Sequence, residues 1–104
     1  AFGARSLRGS ADAEEGRRRL ATINRLVLTK TRDRSPVVRK RSVSCILSLA
    51  RRLGEDYLTA LPEAMPFLAD LIDDEDSAVE DISREFVRHL EEVSGEQILS
   101  QLKD

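Results

Sequence analysis

The sequence predicts an all-α protein in which two helical hairpins stack as repeats and a short C-terminal helix caps the stack. Three observations favour this fold class. Apolar residues recur at helical spacing, the chain matches itself at an offset of 41 residues, and aromatic residues make up only 4% of the composition. We therefore expect an α-solenoid fragment with a core of Leu, Ile, Val and Ala.

The internal match is specific in residue type as well as in hydropathy. An offset in the low forties is typical of two-helix solenoid units, each of which buries its apolar face against its neighbours. The offset aligns Val27 with Leu68, Asp33 with Asp74, Val38 with Val79, Ser42 with Ser83, Cys45 with Phe86, Leu49 with Leu90 and Gly54 with Gly95.

Helix start and stop signals divide each repeat into a first (A) helix and a second (B) helix. We predict the first A helix from about Glu14 to Lys30. Ser35 and Pro36 suit the cap and first position of a B helix that ends at Gly54. The remaining predicted segments are a helical turn at 55–61, an A helix at 62–73 kinked at Pro66, a B helix at 78–94 and a last helix at 97–103.

These segments define the predicted domain organisation. Residues 1–13 lack periodicity and are expected to form a flexible lead. Residues 14–104 are expected to form one module, with repeat one at about 14–54, repeat two at about 55–95 and a capping helix at 96–104.

The two B helices differ in how far their apolar residues spread. Arg84, Arg88 and Glu91 replace the apolar residues of the first B helix at the matching positions, so the second B helix should carry a polar outer face. Repeat one has no such polar face on its N-terminal side. We therefore expect Leu20, Ile23 and Val27 to expose apolar surface there.

The net charge of −2 hides two opposite halves. Residues 1–53 hold 14 Lys/Arg and 4 Asp/Glu, whereas residues 54–104 hold 3 and 15. This asymmetry indicates different partners at the two ends. The candidate surface for RNA phosphates or an acidic partner consists of Lys30, Arg32, Arg34, Lys40, Arg41, Arg51 and Arg52. A solvated helix face explains the same charges, and the lack of interleaved aromatic residues argues against base recognition.

The loop and B helix of repeat one carry the pattern Asp33-x4-Val38-Arg39-x2-Ser42-x2-Cys45-Ile46-x2-Leu49, followed by Gly54. This pattern resembles the HEAT consensus. Residues 20–104 also resemble the C-terminal end of the large HEAT-repeat subunits of the small-subunit processome. The matching pieces are KTRDRSP (30–36), LGEDYLTALPEAMPFLADLIDDE (53–75) and VEDISREF (79–86).

The resemblance implies a nucleolar, and therefore nuclear, scaffold within a ribonucleoprotein assembly. Members of that family associate with the U-three small nucleolar RNA, which implies a role in early pre-ribosomal RNA assembly and in support of ribosomal DNA transcription. Protein subunits would be the main partners, with the backbone of pre-rRNA or snoRNA as a further partner. The HEAT pattern also implies an inter-repeat ladder, in which Arg39 reaches Asp33 or Asp74. Glu80 occupies the position of repeat two that matches Arg39. Only one such arginine contact between repeats is therefore expected.

Several other chemistries find no support in the residue pattern. The acidic stretch from Asp70 to Asp81 lacks the spacing of a calcium loop, since Val79 falls where that loop needs glycine. His89 has no nucleophile at a matching position. Cys45 aligns with Phe86, so we expect a buried, inert thiol. We expect no cofactor, no metal, no membrane or small-molecule ligand, and no enzymatic activity.

Two function classes remain open. The first is a module of a ribosome-assembly scaffold that binds proteins and RNA backbone. The second is a generic HEAT adaptor for protein partners with no RNA role.

Overall fold

The computed structural model describes the backbone of residues 2–103 and the side chains of residues 11–103. Five α-helices follow in order: α1 (Phe2–Lys30), α2 (Pro36–Leu53), α3 (Leu61–Leu71), α4 (Ser77–Ser94) and α5 (Ile98–Leu102). A 3-10 helix, Gly54–Ala60, joins α2 to α3. The predicted all-α solenoid fragment is confirmed. We refer to α1 and α2 as repeat one and to α3 and α4 as repeat two.

The ends of both B helices follow from local chemistry. Ser35 has extended backbone at the N-cap of α2, and Pro36 follows at the first helical position. At the other ends, Gly54 and Gly95 adopt φ values of 57° and 74°, which disfavour residues with a Cβ. Their N–H groups donate to the carbonyls of Ala50 and Glu91, so both B helices end at a glycine. Only Gly95 has the left-handed helical conformation, since ψ is 11° at Gly95 and −128° at Gly54.

Two helix boundaries differ from the sequence expectation by more than one residue. α1 begins at Phe2, well before the start predicted at about Glu14, and no proline interrupts the segment. α3 ends at Leu71, where Asp73 was expected, because the backbone turns tightly after Ile72 to enter the loop. α3 runs continuously through Pro66.

The core lies between the two repeats and is almost entirely aliphatic. α2 packs against α1 on one side and α4 on the other, while the 3-10 helix contacts all four long helices. Tyr57 and Phe86 meet edge to face, with ring centroids 5.8 Å apart. The buried apolar residues are Leu20, Leu28, Val43, Ile46, Leu47, Ala50, Tyr57, Ala60, Ala64, Leu68, Leu71, Ile72, Val79, Phe86, Val87, Leu90 and Ile98.

Repeat one leaves part of its apolar surface uncovered. Ile23 is 49% exposed, as expected, and Val27 is partly buried. The expectation that Leu20 is exposed was wrong, because Leu20 is buried in the core near Leu53 of α2. The expectation that Cys45 is buried was also wrong, because this residue is exposed.

Candidate interaction surfaces

A bidentate ion pair joins the loops of the two repeats. Nε of Arg39 donates to Oδ2 of Asp74 at 3.0 Å, and Nη2 donates to Oδ1 at 3.0 Å. The remaining nitrogen, Nη1, donates to the backbone carbonyls of Asp33 and Arg34. Both side chains of the pair are only 11% exposed. Arg39 therefore connects the start of α2 to the loop before α4 and closes its own loop as well.

This geometry favours the charged form of both partners. Hydrogen bonding to Asp74 raises the pKa of Arg39 above its ordinary value. Burial of Asp74 opposes its ionisation, but the hydrogen bonds from Arg39 and the N–H of Asp76 outweigh burial, so the pKa of Asp74 lies below its ordinary value. Both groups are therefore charged at neutral pH.

Three further arginines of repeat one form ion pairs with carboxylates of repeat two. They are more exposed than Arg39, so each contributes less to stability than a buried pair does. The pairs are Arg25 with Glu63 at 2.9 Å, Arg32 with Asp70 at 3.6 Å and Arg51 with Glu85 at 2.8 Å. The guanidinium of Arg32 also stacks 4.2 Å from the ring centroid of Phe67.

The opposite charges of the two halves therefore meet within the chain. Four arginines from the basic half are neutralised by four carboxylates from the acidic half at the seam between repeats. From the sequence alone, this asymmetry indicates only external partners. The structure gives it a second role, because it orients repeat one on repeat two.

The seven predicted surface cations lie in several different surroundings. Arg32 and Arg51 belong to the seam. Lys30 and Arg41 share a groove between α1 and α2, while Lys40 lines a separate groove between α2 and α4. Arg34 lies on the loop beside Arg39, and Arg52 lies on the exposed side of α2. Within residues 11–103, Lys30, Arg34, Lys40, Arg41 and Arg52 form no ion pair within 4.0 Å.

Asp33 and Asp74 hold their loops in the same way. Oδ1 of Asp33 accepts from the N–H of Ser35 at 2.9 Å, and Oδ1 of Asp74 accepts from the N–H of Asp76 at 2.9 Å. Each carboxylate thus closes a turn to the residue two positions on. Of the three residues predicted for the ladder, the structure brings Arg39 to the carboxylate of Asp74 and to the carbonyl, rather than the carboxylate, of Asp33.

A buried polar contact at the same seam was not predicted from the sequence. Asn24 is fully buried on α1, and its Oδ1 accepts from the hydroxyl of Tyr57 at 2.7 Å. Its Nδ2 lies 3.4 Å from Oε1 of Glu63, which also pairs with Arg25. An asparagine within the apolar pattern of the first A helix was the available signal, since a buried amide needs partners.

The polar side of α4 also has a defined contact. Oε2 of Glu91 accepts from the N–H groups of Ile98 and Leu99 at 2.9 and 3.1 Å. These are the first N–H groups of α5 and have no partner within that helix. Glu91 therefore attaches α5 to the end of repeat two.

The described residues contain neither a metal-binding cluster nor a membrane-spanning helix. No group of three or more His, Cys, Asp or Glu side chains in that part of the chain is placed to hold a metal ion. Between residues 2 and 103, every helix is too short or too polar to cross a bilayer.

The two stacked helical hairpins and the ion pairs between them identify the class of protein: the chain is an α-solenoid fragment of the HEAT type. Sequence similarity to known HEAT-repeat proteins supports this assignment. The chain is 44% identical over 78 residues to human HEAT repeat-containing protein 1 and 42% identical over 76 residues to its Drosophila melanogaster homologue. It is 37% identical over 97 residues to U3 small nucleolar RNA-associated protein 10 of Chaetomium globosum. The resemblance found in the sequence is confirmed, and the chain is homologous to a segment of these HEAT-repeat proteins.

The matches cover most of this chain and little of the relatives. They span 75% of the chain for the human protein, 73% for the fly protein and 93% for the fungal protein, but only 4%, 4% and 5% of those proteins. No protein-family model and no solved structure matches the chain significantly. The names of the relatives denote a repeat protein or an association with small nucleolar RNA, and none denotes an enzyme.

Proposed function

We propose that the chain is a non-catalytic scaffold module of a ribosome-biogenesis factor that acts in small-subunit pre-rRNA processing. The observation that carries this proposal is the similarity, over 93% of the chain, to a protein named for its association with U3 small nucleolar RNA. The module would act in the nucleolus within a large ribonucleoprotein assembly and, in the same setting, support ribosomal DNA transcription.

Protein subunits are the proposed main partners. A helical solenoid presents long, rigid surfaces because each repeat contacts only its neighbours, which suits a scaffold. The ion pairs at the seam fix the orientation of one repeat on the other. A partner that contacts both repeats would therefore find its binding groups already in place.

RNA backbone is the proposed secondary partner, and the free cations of α2 support it. Lys40, Arg41 and Arg52 are exposed and form no ion pair with the described residues. Clustered Lys and Arg bind phosphates without reading bases, and such binding weakens as salt increases. We propose contact with phosphates and no sequence preference.

The test combines a deletion with a charge reversal in the full-length product of the gene. Deleting residues 14–104 should remove ribosome-assembly proteins and U3-containing particles from the affinity-purified material. Lys40→Glu with Arg41→Glu should weaken RNA binding by the purified chain about tenfold at low salt and reduce the salt slope by roughly one to two.

A matched control separates local from general charge effects. Arg17→Glu with Lys103→Glu changes the net charge equally at exposed sites away from the middle of α2. If the deletion leaves the same particles bound, the scaffold proposal is wrong. If both double variants weaken RNA binding equally, the α2 cations are not a specific phosphate surface.

The second candidate is a generic HEAT adaptor that binds only proteins. The specific observation in its favour is the seam, because Arg32, Arg39 and Arg51 are already paired with carboxylates and are not free for phosphates. Under this candidate, the deletion would remove proteins from the purified material, and neither double variant would change RNA binding.

A further inference from the structure

The loop between α1 and α2 contains a serine that directly precedes a proline. Ser35 is followed by Pro36, and every other serine or threonine of the chain is followed by a residue other than proline. The backbone of Ser35 is extended, with φ of −80° and ψ of 122°. Arg34 and Pro36 on either side are exposed. Surface loops are accessible to other proteins, and the extended backbone of Ser35 lets an enzyme reach its hydroxyl.

The proline determines which enzymes this serine suits. Proline lacks a backbone N–H, so an enzyme pocket without a hydrogen-bond acceptor receives it and rejects other residues, whose N–H would be left unpaired. Proline-directed protein kinases select serine or threonine by this feature. Ser48, which is exposed on α2 and precedes Leu49, lacks the feature and serves as an internal comparison.

The hydroxyl of Ser35 takes little part in holding the fold. Its Oγ accepts from the N–H of Val38 at 3.5 Å, which is at the long limit for a hydrogen bond. In contrast, the hydroxyl of Ser42 donates to the carbonyl of Val38 at 2.7 Å and belongs to a buried residue. A substituent on Oγ of Ser35 therefore displaces no strong contact.

Two charged side chains lie directly beside Ser35. The carboxylate of Asp33 accepts from the N–H of Ser35 at 2.9 Å. Nη1 of Arg39 donates to the carbonyls of Asp33 and Arg34, the two residues that precede Ser35. The other two nitrogens of this guanidinium hold Asp74 of repeat two at 3.0 Å. Ser35 is thus adjacent to the buried ion pair that joins the repeats.

We propose that a proline-directed kinase phosphorylates Ser35 and that the phosphate loosens the seam by competing with Asp74 for Arg39. In this step the γ-phosphoryl group of ATP forms a new bond to Oγ of Ser35 while its bond to the β-phosphate breaks. ADP leaves, and the proton of the hydroxyl passes to a carboxylate of the kinase. The inference does not depend on a role in ribosome assembly.

The surroundings of the phosphate determine the direction of this effect. A phosphoserine carries a charge of about −1.5 to −2 at neutral pH, and the carboxylate of Asp33 repels it. Arg39 already directs four hydrogen bonds to other oxygens. It neutralises the phosphate only if it leaves Asp74, whose carboxylate then stays shielded without a partner. Arg34 is exposed and offers only a weak ion pair.

The modification is tested with the purified 104-residue chain, Mg-ATP and a cyclin-dependent kinase, with mass spectrometry to locate the phosphate. We expect incorporation at Ser35 and none at Ser48. Incorporation should be at least about tenfold slower in Pro36→Ala, because the N–H of alanine is left unpaired in the kinase pocket. Ser35→Ala should remove the phosphopeptide and so confirms its assignment.

The effect on the seam is measured by hydrogen exchange and urea denaturation of the phosphorylated and unmodified chains. Phosphorylation should speed amide exchange in the loop at 72–76 at least about threefold, because Asp74 loses Arg39. It should lower the midpoint of urea denaturation by at least about half of the loss that Arg39→Ala causes. In Arg39→Ala, phosphorylation should change neither quantity, since both changes act on the same contact.

Ser48→Glu is the matched control, because it adds negative charge at an exposed position of α2 outside the loop. It should leave exchange at 72–76 unchanged, and an equal increase would mean that added charge alone is responsible. No phosphate at Ser35, or equal incorporation in Pro36→Ala, would rule out a proline-directed site. A midpoint that stays the same or rises would show that the phosphate does not loosen the seam. An effect that persists in Arg39→Ala would show that the phosphate acts elsewhere.

Discussion

The N-terminal faces of the two repeats share a residue pattern but differ in burial. Leu68, Val79 and Phe86 of repeat two are covered by repeat one, whereas Val27 is partly buried and Cys45 exposed at the matching positions of repeat one. The offset of 41 residues predicted which positions are equivalent. The difference teaches that burial in a solenoid depends on the neighbouring repeat, and that a residue pattern alone does not fix it.

The electrostatics of the two faces differ as well. Repeat two presents Glu63, Asp70, Asp74 and Glu85 to arginines of repeat one. Repeat one has an uncovered groove between α1 and α2, lined by Leu26, Val27 and Cys45, which we call the open face. Lys30 and Arg41 also line this groove. Each face should therefore accept a different neighbour, since specificity between repeats follows from complementary charges around similar apolar surfaces.

The largest expected effect is a core truncation on the covered face, set against the same truncation on the open face. Leu68→Ala should lower the free energy of unfolding by about 2–5 kcal/mol, because it leaves a cavity at a fully buried site. Leu26→Ala, at a 65% exposed site, should change it by less than about 0.5 kcal/mol. Urea denaturation of both variants measures the difference. Equal losses would mean that the open face is buried in solution.

An intermediate effect is expected at the buried polar contact of the seam. Tyr57→Phe should lower the free energy of unfolding by about 1–3 kcal/mol, because it leaves Oδ1 of the fully buried Asn24 without its donor. Asn24→Ala is the partner variant in a double-mutant cycle. The losses of the two single variants should not add in the double variant, since both remove the same hydrogen bond. Additive losses would mean that the two side chains act independently.

The same residue predicts a loss of stability at alkaline pH. Burial raises the pKa of Tyr57 above its ordinary value, and Tyr57 is the single tyrosine of the chain. The folded state binds the phenolic proton more tightly than the unfolded state. This contribution is therefore complete below about pH 10 and declines as pH rises beyond it. Phenolate absorbance should appear together with unfolding, and its appearance in the folded protein near pH 10 would contradict this assignment.

The smallest expected effect separates two ion pairs of the seam by their exposure. Arg39→Ala should lower the midpoint of urea denaturation at least about twice as much as Arg51→Ala, because the first leaves a shielded carboxylate without its partner. The side chains of the Arg51–Glu85 pair are 54% and 45% exposed, so water replaces much of that interaction. Equal shifts of the midpoint would show that Arg39 does not hold the repeats together.

The sequence predicted the elements whose signals are local. Ser35, Pro36 and Gly54 identified the ends of α2 because a cap, an N1 proline and a C-terminal glycine each act within a few residues. The pairing of Arg25 with Glu63 and of Arg51 with Glu85 could not be predicted, because it depends on how far one repeat is displaced along the other. That displacement comes from packing in three dimensions.

The exposure of Cys45 could not be read from the sequence for a related reason. Its alignment with Phe86 indicated an interior position, yet the residue that covers an interior position can come from outside the chain. Glu91 is a second example. Its place on the polar side of α4 was predicted, but its contact with α5 requires the turn at Gly95 to fold the chain back.

The spacing of the two seam ion pairs along α2 affects how the joint between the repeats responds to force. Arg39 and Arg51 lie 12 positions apart on one helix, which corresponds to roughly 18 Å along its axis. Two attachments at that separation resist torque, because tilting one repeat against the other must stretch one of them. Under a pulling or bending load on the solenoid, this joint should therefore deform less than joints that lack such paired attachments.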